Sequence, residues 1–178
     1  MKRLIMCEGP NELTVMRILL ANEALVFAET DLIGLTPYHA RQISGNAVLT
    51  NELNMYPEND VVVMRIGDKQ SDKLSIPKEY REKIIRVEKY CTKPELEVLL
   101  IISEGLWSEF CKVKSHLKPK DFAKAHICIN KRRYDNKSSF YNEYYSNNPD
   151  RLISSIKQYK KLHKTHQKSE GYLADLLR

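Results

Sequence analysis

Short apolar runs alternate with amphipathic stretches over the first hundred residues. Four of these runs are predicted strands, over residues 4–7, 24–28, 61–66 and 84–90. The run over 61–66 is rich in valine and almost continuously apolar, which is typical of a strand buried on both faces of a sheet. Each run is short enough to be a strand rather than a buried helix.

Helical patterns separate these runs and then dominate the rest of the chain. The first predicted helix is capped by Asn11 and ends near Ala21, whereas residues 47–53 fit either a helix or a strand. Prolines precede or open three more predicted helices, at Pro37, Pro77 and Pro94. Further helices are predicted over 106–114, 119–126, 138–145, 149–164 and 171–178.

This order of elements predicts an α/β fold. Strands alternate with helices and no pair of strands is joined by a recognisable two-residue hairpin turn, so we expect a mostly parallel sheet flanked by helices. Residues 1–105 form the predicted α/β core, and residues 106–178 a basic, mainly helical extension packed on it. At 178 residues the chain is long enough for one domain with a substantial core.

The charge distribution favours a nucleic-acid partner. The net charge is +6, and lysine and arginine dominate from Lys112 onward, interleaved with tyrosines and Phe140. This distribution is typical of a protein that binds a phosphate polymer such as DNA or RNA. A solvated basic surface with no such partner is the alternative interpretation.

Cysteine usage and hydropathy indicate the compartment. The four cysteines are far apart and form no metal-binding pair, which favours free thiols in a reducing cytoplasm. The basic start is followed by an apolar run too short for a secretory signal, and no segment approaches the ~20 apolar residues of a membrane span. We therefore expect a cytoplasmic protein that makes no membrane contact.

Acidic residues recur at the predicted carboxyl ends of strands, where parallel sheets bind ligands. Glu8 ends the first strand, Asp68 follows the central strand, and Glu97 lies in an apolar stretch after the fourth. Two carboxylates ~4 Å apart repel by roughly 4 kcal/mol at an effective dielectric of about 20. A shared proton, a nearby cationic side chain or a divalent cation would offset that repulsion.

Oxygen ligands favour Mg²⁺ or Mn²⁺, whose matching chemistry on a basic protein is phosphodiester attack. Each acid also has a structural explanation. Glu8 could start a loop, Asp68 could be a turn residue, and Glu12 could be either a supporting acid of the site or a first-turn charge that suits the helix dipole.

Three segments together resemble TOPRIM domains, most closely the RloB-like and OLD-type TOPRIM proteins of prokaryotic defence islands. LIMCEGPNE resembles the strand that ends in Glu-Gly, VVVMRIGDKQSD the strand that ends in Asp-x-Asp, and PELEVLLII the third acidic element. The resemblance covers roughly the first 105 residues. It implies a TOPRIM-like sheet and a metal-dependent endonuclease that works in phage defence or on mobile elements.

The resemblance also implies roles for individual residues. Glu8, Asp68 and Glu97 would be catalytic, and Glu8 and Asp68 would hold the metal together with Gln70 and Asp72. Gln70 stands where the family has its second aspartate, and an amide is a weaker Mg²⁺ ligand. The alternatives are therefore a non-catalytic nucleic-acid- or partner-binding module with a degenerate metal site, or a regulatory subunit beside a partner such as an ATPase.

Cationic residues in three places are predicted to contact nucleic acid. They are His39 and Arg41, Lys69 and Lys73, and Lys131, Arg132 and Arg133. Each group could equally be a solvated loop or a local balance for nearby acids. The sequence leaves open the choice of DNA or RNA and the oligomeric state.

Overall fold

A five-stranded parallel sheet forms the centre of the protein. The computed structural model describes residues 1–68, 73–163 and 166–178. Its strands are β1 (Lys2–Cys7), β2 (Tyr38–His39), β3 (Val61–Gly67), β4 (Ile84–Cys91), β5 (Cys128–Ile129), β6 (Arg132–Arg133) and β7 (Gly171–Tyr172). The sheet has the order β2-β1-β3-β4-β7 with every neighbouring pair parallel, and β5 and β6 form a separate antiparallel hairpin. The predicted α/β class and parallel sheet are confirmed.

Seven α-helices accompany the strands in the described part of the chain. They are α1 (Pro10–Ala21), α2 (Ala47–Met55), α3 (Val98–Ser103), α4 (Trp107–Val113), α5 (Pro119–His126), α6 (Ser138–Tyr145) and α7 (Pro149–Leu162). Short 3-10 turns lie at Glu29–Asp31, Ile33–Leu35, Lys78–Tyr80 and Leu173–Leu176. None of the helices described has the length and apolar character that a bilayer crossing requires.

Both faces of the sheet are covered at its centre, which explains why β1 and β3 are almost continuously apolar. Successive side chains of a strand point to opposite faces. Ile5 and Cys7 of β1 therefore join a cluster with α1 and the helices from α3 onward, whereas Leu4 and Met6 join a second cluster with α2. The connection from β1 to β2 therefore runs over one face of the sheet, and the connection from β2 to β3 runs over the other face. Strand β2 is added on one side of β1 and β3 on its other side, so the order of the strands reverses between β1 and β3. Ligands of open α/β sheets bind at this kind of reversal.

The extension is integrated with the core. Strand β7 pairs with β4, α6 packs against α1, and α7 packs against α3. One hydrophobic cluster accordingly contains side chains from both halves of the chain, including Met16, Leu99, Tyr141 and Ile156.

Six local predictions are wrong, and the first is the final helix over 171–178, which is strand β7 followed by a 3-10 turn. Residues 24–28 are irregular, because Leu25 makes only an isolated bridge with Leu177. The predicted helix after Pro37 is strand β2, and the helix predicted from Pro94 begins at Val98. Only a 3-10 turn follows Pro77, and Gly9 rather than Asn11 occupies the N-cap of α1.

A two-residue hairpin turn does exist, contrary to expectation, between β5 and β6. Asn130 and Lys131 form it, with φ values of 49° and 66°. Positive φ at both turn positions matches the right-handed twist of the paired strands. Asn-Lys lacks the glycine that usually marks such turns, so the turn was not predicted.

Candidate functional site

Glu8 and Asp68 lie side by side where the sheet reverses. Strands β1 and β3 pair in register, and the Glu8 N–H donates to the Ile66 carbonyl oxygen at 2.8 Å, one residue beyond β1. The Glu8 side chain lies so close to Gly67 that a Cβ there would collide with its carboxylate. A glycine at 67 therefore lets Glu8 lie against the end of β3, next to Asp68.

Glu12 adds a third carboxyl group from the first turn of α1. One of its oxygens is 2.7 Å from the point where a Cβ on Gly9 would lie, so the carboxyl folds back over the β1–α1 turn. Burial, together with the charges of Asp68 and Glu8, raises the pKa of Glu12 to about 7. The sequence predicts Glu12 to be either a supporting acid of the site or a first-turn charge. It lies in the first turn of α1, and the charges of Glu8 and Asp68 act on it.

Glu97 completes this group of acids. It immediately precedes α3, its side chain is buried, and its charge also raises the pKa of Glu12. Glu8, Glu12, Asp68 and Glu97 therefore share one electrostatic environment, which we call the acidic cluster.

Residues of the extension hold Glu97. The Tyr134 hydroxyl donates to Glu97 Oε1 at 2.7 Å. In the amide orientation that satisfies its neighbours, Asn136 donates to the same oxygen at 3.1 Å and accepts from Lys120 Nζ at 2.9 Å. Burial raises the pKa of Glu97, and the Tyr134 hydrogen bond opposes that rise. No local sequence pattern pointed to Tyr134, Asn136 or Lys120 as neighbours of this acid, because they approach it only in the folded chain.

Strand β2 brings cationic residues to the opposite side of the cluster. His39 pairs with Cys7 in the sheet and is exposed at the edge. Arg41 Nη2 lies 3.3 Å from Glu8 Oε1, and Arg41 Nε donates to the Glu8 carbonyl oxygen at 3.4 Å. The Arg41 side chain is 62% exposed, so it remains accessible to a ligand that reaches Glu8.

Residues 73–75 lie beside the segment that follows β2. Gln42 donates to the Lys73 carbonyl oxygen at 3.2 Å and accepts from the Ser75 N–H at 3.0 Å. These bonds hold Lys73, which is exposed, next to the Arg41 side of the site. The predicted site residues Lys69, Gln70 and Asp72 lie outside the described residues.

The three adjacent basic residues Lys131, Arg132 and Arg133 have two different roles. Arg132 donates to Glu143, Asp135 and Ser139 at 2.9–3.0 Å, and its guanidinium lies over the Phe140 ring. Arg132 therefore ties the hairpin to α6. Lys131 and Arg133 are exposed and direct their charge to solvent.

The acidic cluster has the donor chemistry of a hard divalent cation, because it offers carboxylate oxygens. Within residues 1–68, 73–163 and 166–178, however, no three His, Cys, Asp or Glu side chains form a group that could hold a metal ion. Any cation would therefore be held by one or two of the described carboxylates, with other ligands completing its shell.

Comparison of the chain with models of known protein families, with curated proteins and with solved structures gives no match.

Proposed function

We propose that the protein is a Mg²⁺- or Mn²⁺-dependent nuclease with a TOPRIM-like core that attacks phosphodiester bonds of DNA or RNA. The observation that carries this proposal is the placement of Glu8 and Asp68 at adjacent strand ends where a parallel sheet reverses, with Glu12 and Glu97 near enough for their charges to interact. Such a concentration of negative charge in a protein of net charge +6 requires a reason, and a cation-assisted reaction on a polyanion supplies one.

A divalent cation fits the oxygen-only donor set. Mg²⁺ commonly binds through one or two carboxylates while water and substrate phosphates complete its octahedron, so a complete protein cage is not required. Glu8 and Asp68 would hold the cation, since their adjacent strand ends give them fixed positions. When bound, the cation would polarise the phosphodiester and acidify a coordinated water.

The protein's own groups would prepare the reaction. Glu12 has a pKa of about 7, so one of its carboxylate oxygens can accept a proton near neutral pH. Arg41 is placed to contact a phosphate oxygen next to Glu8, and Lys73 lies on the same side. Glu97 would remain a fixed negative charge, held by Tyr134 and Asn136.

The charge distribution supports a nucleic-acid substrate. Residues 106–178 contain 16 of the 29 lysines and arginines but only 7 of the 23 acids, so this part is basic while the remainder is slightly acidic. Lys131 and Arg133 lie on the hairpin that leads directly to Tyr134. Backbone phosphates could thus contact the extension while one phosphodiester reaches the cluster. The resemblance to defence-island TOPRIM proteins adds phage defence or mobile-element control as the proposed setting, with an ATPase as a candidate partner.

The second candidate is a binding module without catalysis. The observation that favours it is the lack of a three-ligand group among the described carboxylates, together with the Arg41 contact that already offsets the charge of Glu8. Such a protein would bind nucleic acid through phosphate contacts alone and would be indifferent to divalent cations.

The deciding experiment compares the purified wild-type protein with two variants. Asp68→Ala removes a proposed metal ligand, and Glu58→Ala removes an exposed loop acid outside the cluster as a matched control. Each is incubated with plasmid DNA and with structured RNA in Mg²⁺, in Mn²⁺ and in EDTA. We expect metal-dependent cleavage by wild type and Glu58→Ala, and loss of at least 100-fold in Asp68→Ala.

The other outcomes are also informative. Equal cleavage by Asp68→Ala would mean that the cluster does not carry the reaction. Salt-sensitive binding without cleavage in either metal would reject the nuclease and support the binding module.

A further inference from the structure

We propose that Tyr134 and Asn136 are positioning residues whose side chains fix the orientation and the negative charge of Glu97 in the acidic cluster. This inference deepens the proposed function and rests on it, because it assigns part of the site to the extension. The resemblance ends near residue 105 and assigns these two residues no role.

Tyr134 is held rigidly by its surroundings. Its N–H donates to the Ile127 carbonyl oxygen at 3.0 Å, which continues the β5–β6 hairpin by one pair. Its ring packs edge-on against Phe140 and Tyr141, with centroids 5.2 and 5.9 Å away. Only 3% of the residue is exposed, so the hydroxyl has little freedom to leave Glu97.

The hydrogen bonds around Tyr134 form a consistent directional chain. The Tyr134 hydroxyl has one proton, which it gives to Glu97 Oε1 at 2.7 Å. Its oxygen can then accept from the Asn136 amide at 3.0 Å and from the Tyr141 hydroxyl at 3.3 Å. With that proton on Glu97, the Asn136 amide and the Tyr141 hydroxyl are left as the donors to the Tyr134 oxygen.

Asn136 supplies the second donor. It has a φ of 61°, in the left-handed region that asparagine tolerates better than most residues. In the amide orientation that satisfies its neighbours, its amide nitrogen donates to Glu97 Oε1 and its amide oxygen accepts from Lys120 Nζ, and the amide lies 3.3 Å from the Asn11 amide nitrogen of α1, the helix that carries Glu12. Two donors on one oxygen are the arrangement that stabilises a carboxylate rather than a carboxylic acid.

The pKa of Glu97 depends on these contacts. Burial and the charge of Glu95 raise its pKa, whereas the Tyr134 hydrogen bond is the largest influence that lowers it. Loss of the Tyr134 hydroxyl should therefore leave Glu97 in place but protonated at a higher pH. A tyrosine that served only for packing would have no such effect on the titration of Glu97.

The test measures the titration of Glu97 directly. Carboxyl carbons of ¹³C-labelled glutamate are followed by NMR against pH in wild type and Tyr134→Phe, with Glu97→Gln used to assign the signal. Tyr145→Phe is the matched control, because Tyr145 is buried in α6 and its hydroxyl pairs with Ser103. We expect the Glu97 midpoint to rise in Tyr134→Phe and to stay unchanged in Tyr145→Phe.

Activity provides a second readout. On the acidic side of the cleavage profile, Tyr134→Phe should lose about tenfold in rate, the change that a midpoint shift of about one pH unit produces, and it should recover toward wild type as the pH rises. Asn136→Gly keeps the left-handed backbone while removing the amide, and it should shift the Glu97 midpoint in the same direction by a smaller amount. If Tyr134→Phe does not fold, Asn136→Gly still tests the proposal.

The outcomes separate the two proposals. An unchanged Glu97 midpoint in both variants, or an equal rate loss at every pH, would overturn the positioning role. Absence of cleavage by the wild-type protein would reject the proposed nuclease, while the NMR titration would still decide whether Tyr134 and Asn136 control Glu97.

Discussion

Glu12 and Glu97 are acids of the same cluster, yet the fold surrounds them differently. At Glu12, burial and the charges of Asp68, Glu8 and Glu97 all favour the protonated form, and the hydrogen bond that opposes them comes from its own backbone N–H. At Glu97, side chains of the extension donate to the carboxylate. The charge of Glu12 is therefore opposed by its neighbours, whereas the charge of Glu97 is offset by donors from the extension.

This difference indicates where a cation would act. A carboxylate that already accepts strong donors gains less from a metal than one whose charge is opposed by its neighbours. The Glu8, Glu12 and Asp68 end is therefore the proposed cation site, and Glu97 is a fixed boundary of it. The following predictions test this comparison through stability and binding.

The largest expected effect is the loss of stability in Glu97→Ala. This change leaves the buried Tyr134 hydroxyl without its acceptor and removes the acceptor of Asn136. Because hydrogen bonds to a charged group contribute about 1.5–3 kcal/mol each, we expect the free energy of unfolding to fall by about 3–5 kcal/mol. Urea denaturation at pH 7.5 measures it.

Glu95→Ala is the matched control for this experiment. The Glu95 carboxylate accepts from the Lys120 N–H at 3.1 Å on a partly exposed surface, so its removal should cost about 1 kcal/mol. Equal losses in the two variants would show that Glu97 is not specially held.

Glu12→Gln should instead increase the free energy of unfolding. The pKa of Glu12 is raised from 4.5 to about 7 in the folded protein, so ionisation of this carboxyl removes stability as the pH rises through that window. Glutamine avoids the cost, and the variant should be more stable than wild type by up to about 3 kcal/mol at pH 8. The gain should vanish near pH 4. Thermal unfolding of both proteins from pH 4 to pH 8 checks this, and a gain that does not vary with pH would contradict it.

The same comparison explains how much the sequence could predict. The positions of Glu8 and Asp68 at the ends of β1 and β3 were predictable, because each acid directly follows a buried strand in the chain. The parallel sheet was predictable from the alternation of strands and helices. The hydrogen bonds that hold Glu97 were not predictable, because they come from Tyr134 and Asn136, which are 37 and 39 positions away. Residues 24–28 misled the prediction since an apolar run packs equally well as an irregular segment against the 3-10 turn at Leu173–Leu176.

Divalent cations should stabilise the protein at the proposed site of Glu8, Glu12 and Asp68. At Mg²⁺ or Mn²⁺ concentrations of 10 to 100 times the dissociation constant, binding adds about 1.4–2.7 kcal/mol to the free energy of unfolding. We expect this gain at pH 8 in wild type, and its near-complete loss in Asp68→Asn. Thermal unfolding with and without metal measures it, and the same stabilisation in both proteins would place the cation elsewhere.

The smallest expected effect on stability is that of Arg41→Ala. Its ion pair with Glu8 is largely exposed, and such pairs contribute about 0–1 kcal/mol. The variant should nevertheless bind a short oligonucleotide more weakly at low salt and have a salt dependence reduced by about one phosphate contact. Arg17→Ala, an exposed change on α1, is the control. If both variants bind alike at every salt concentration, Arg41 makes no phosphate contact, and its role is limited to offsetting the charge of Glu8.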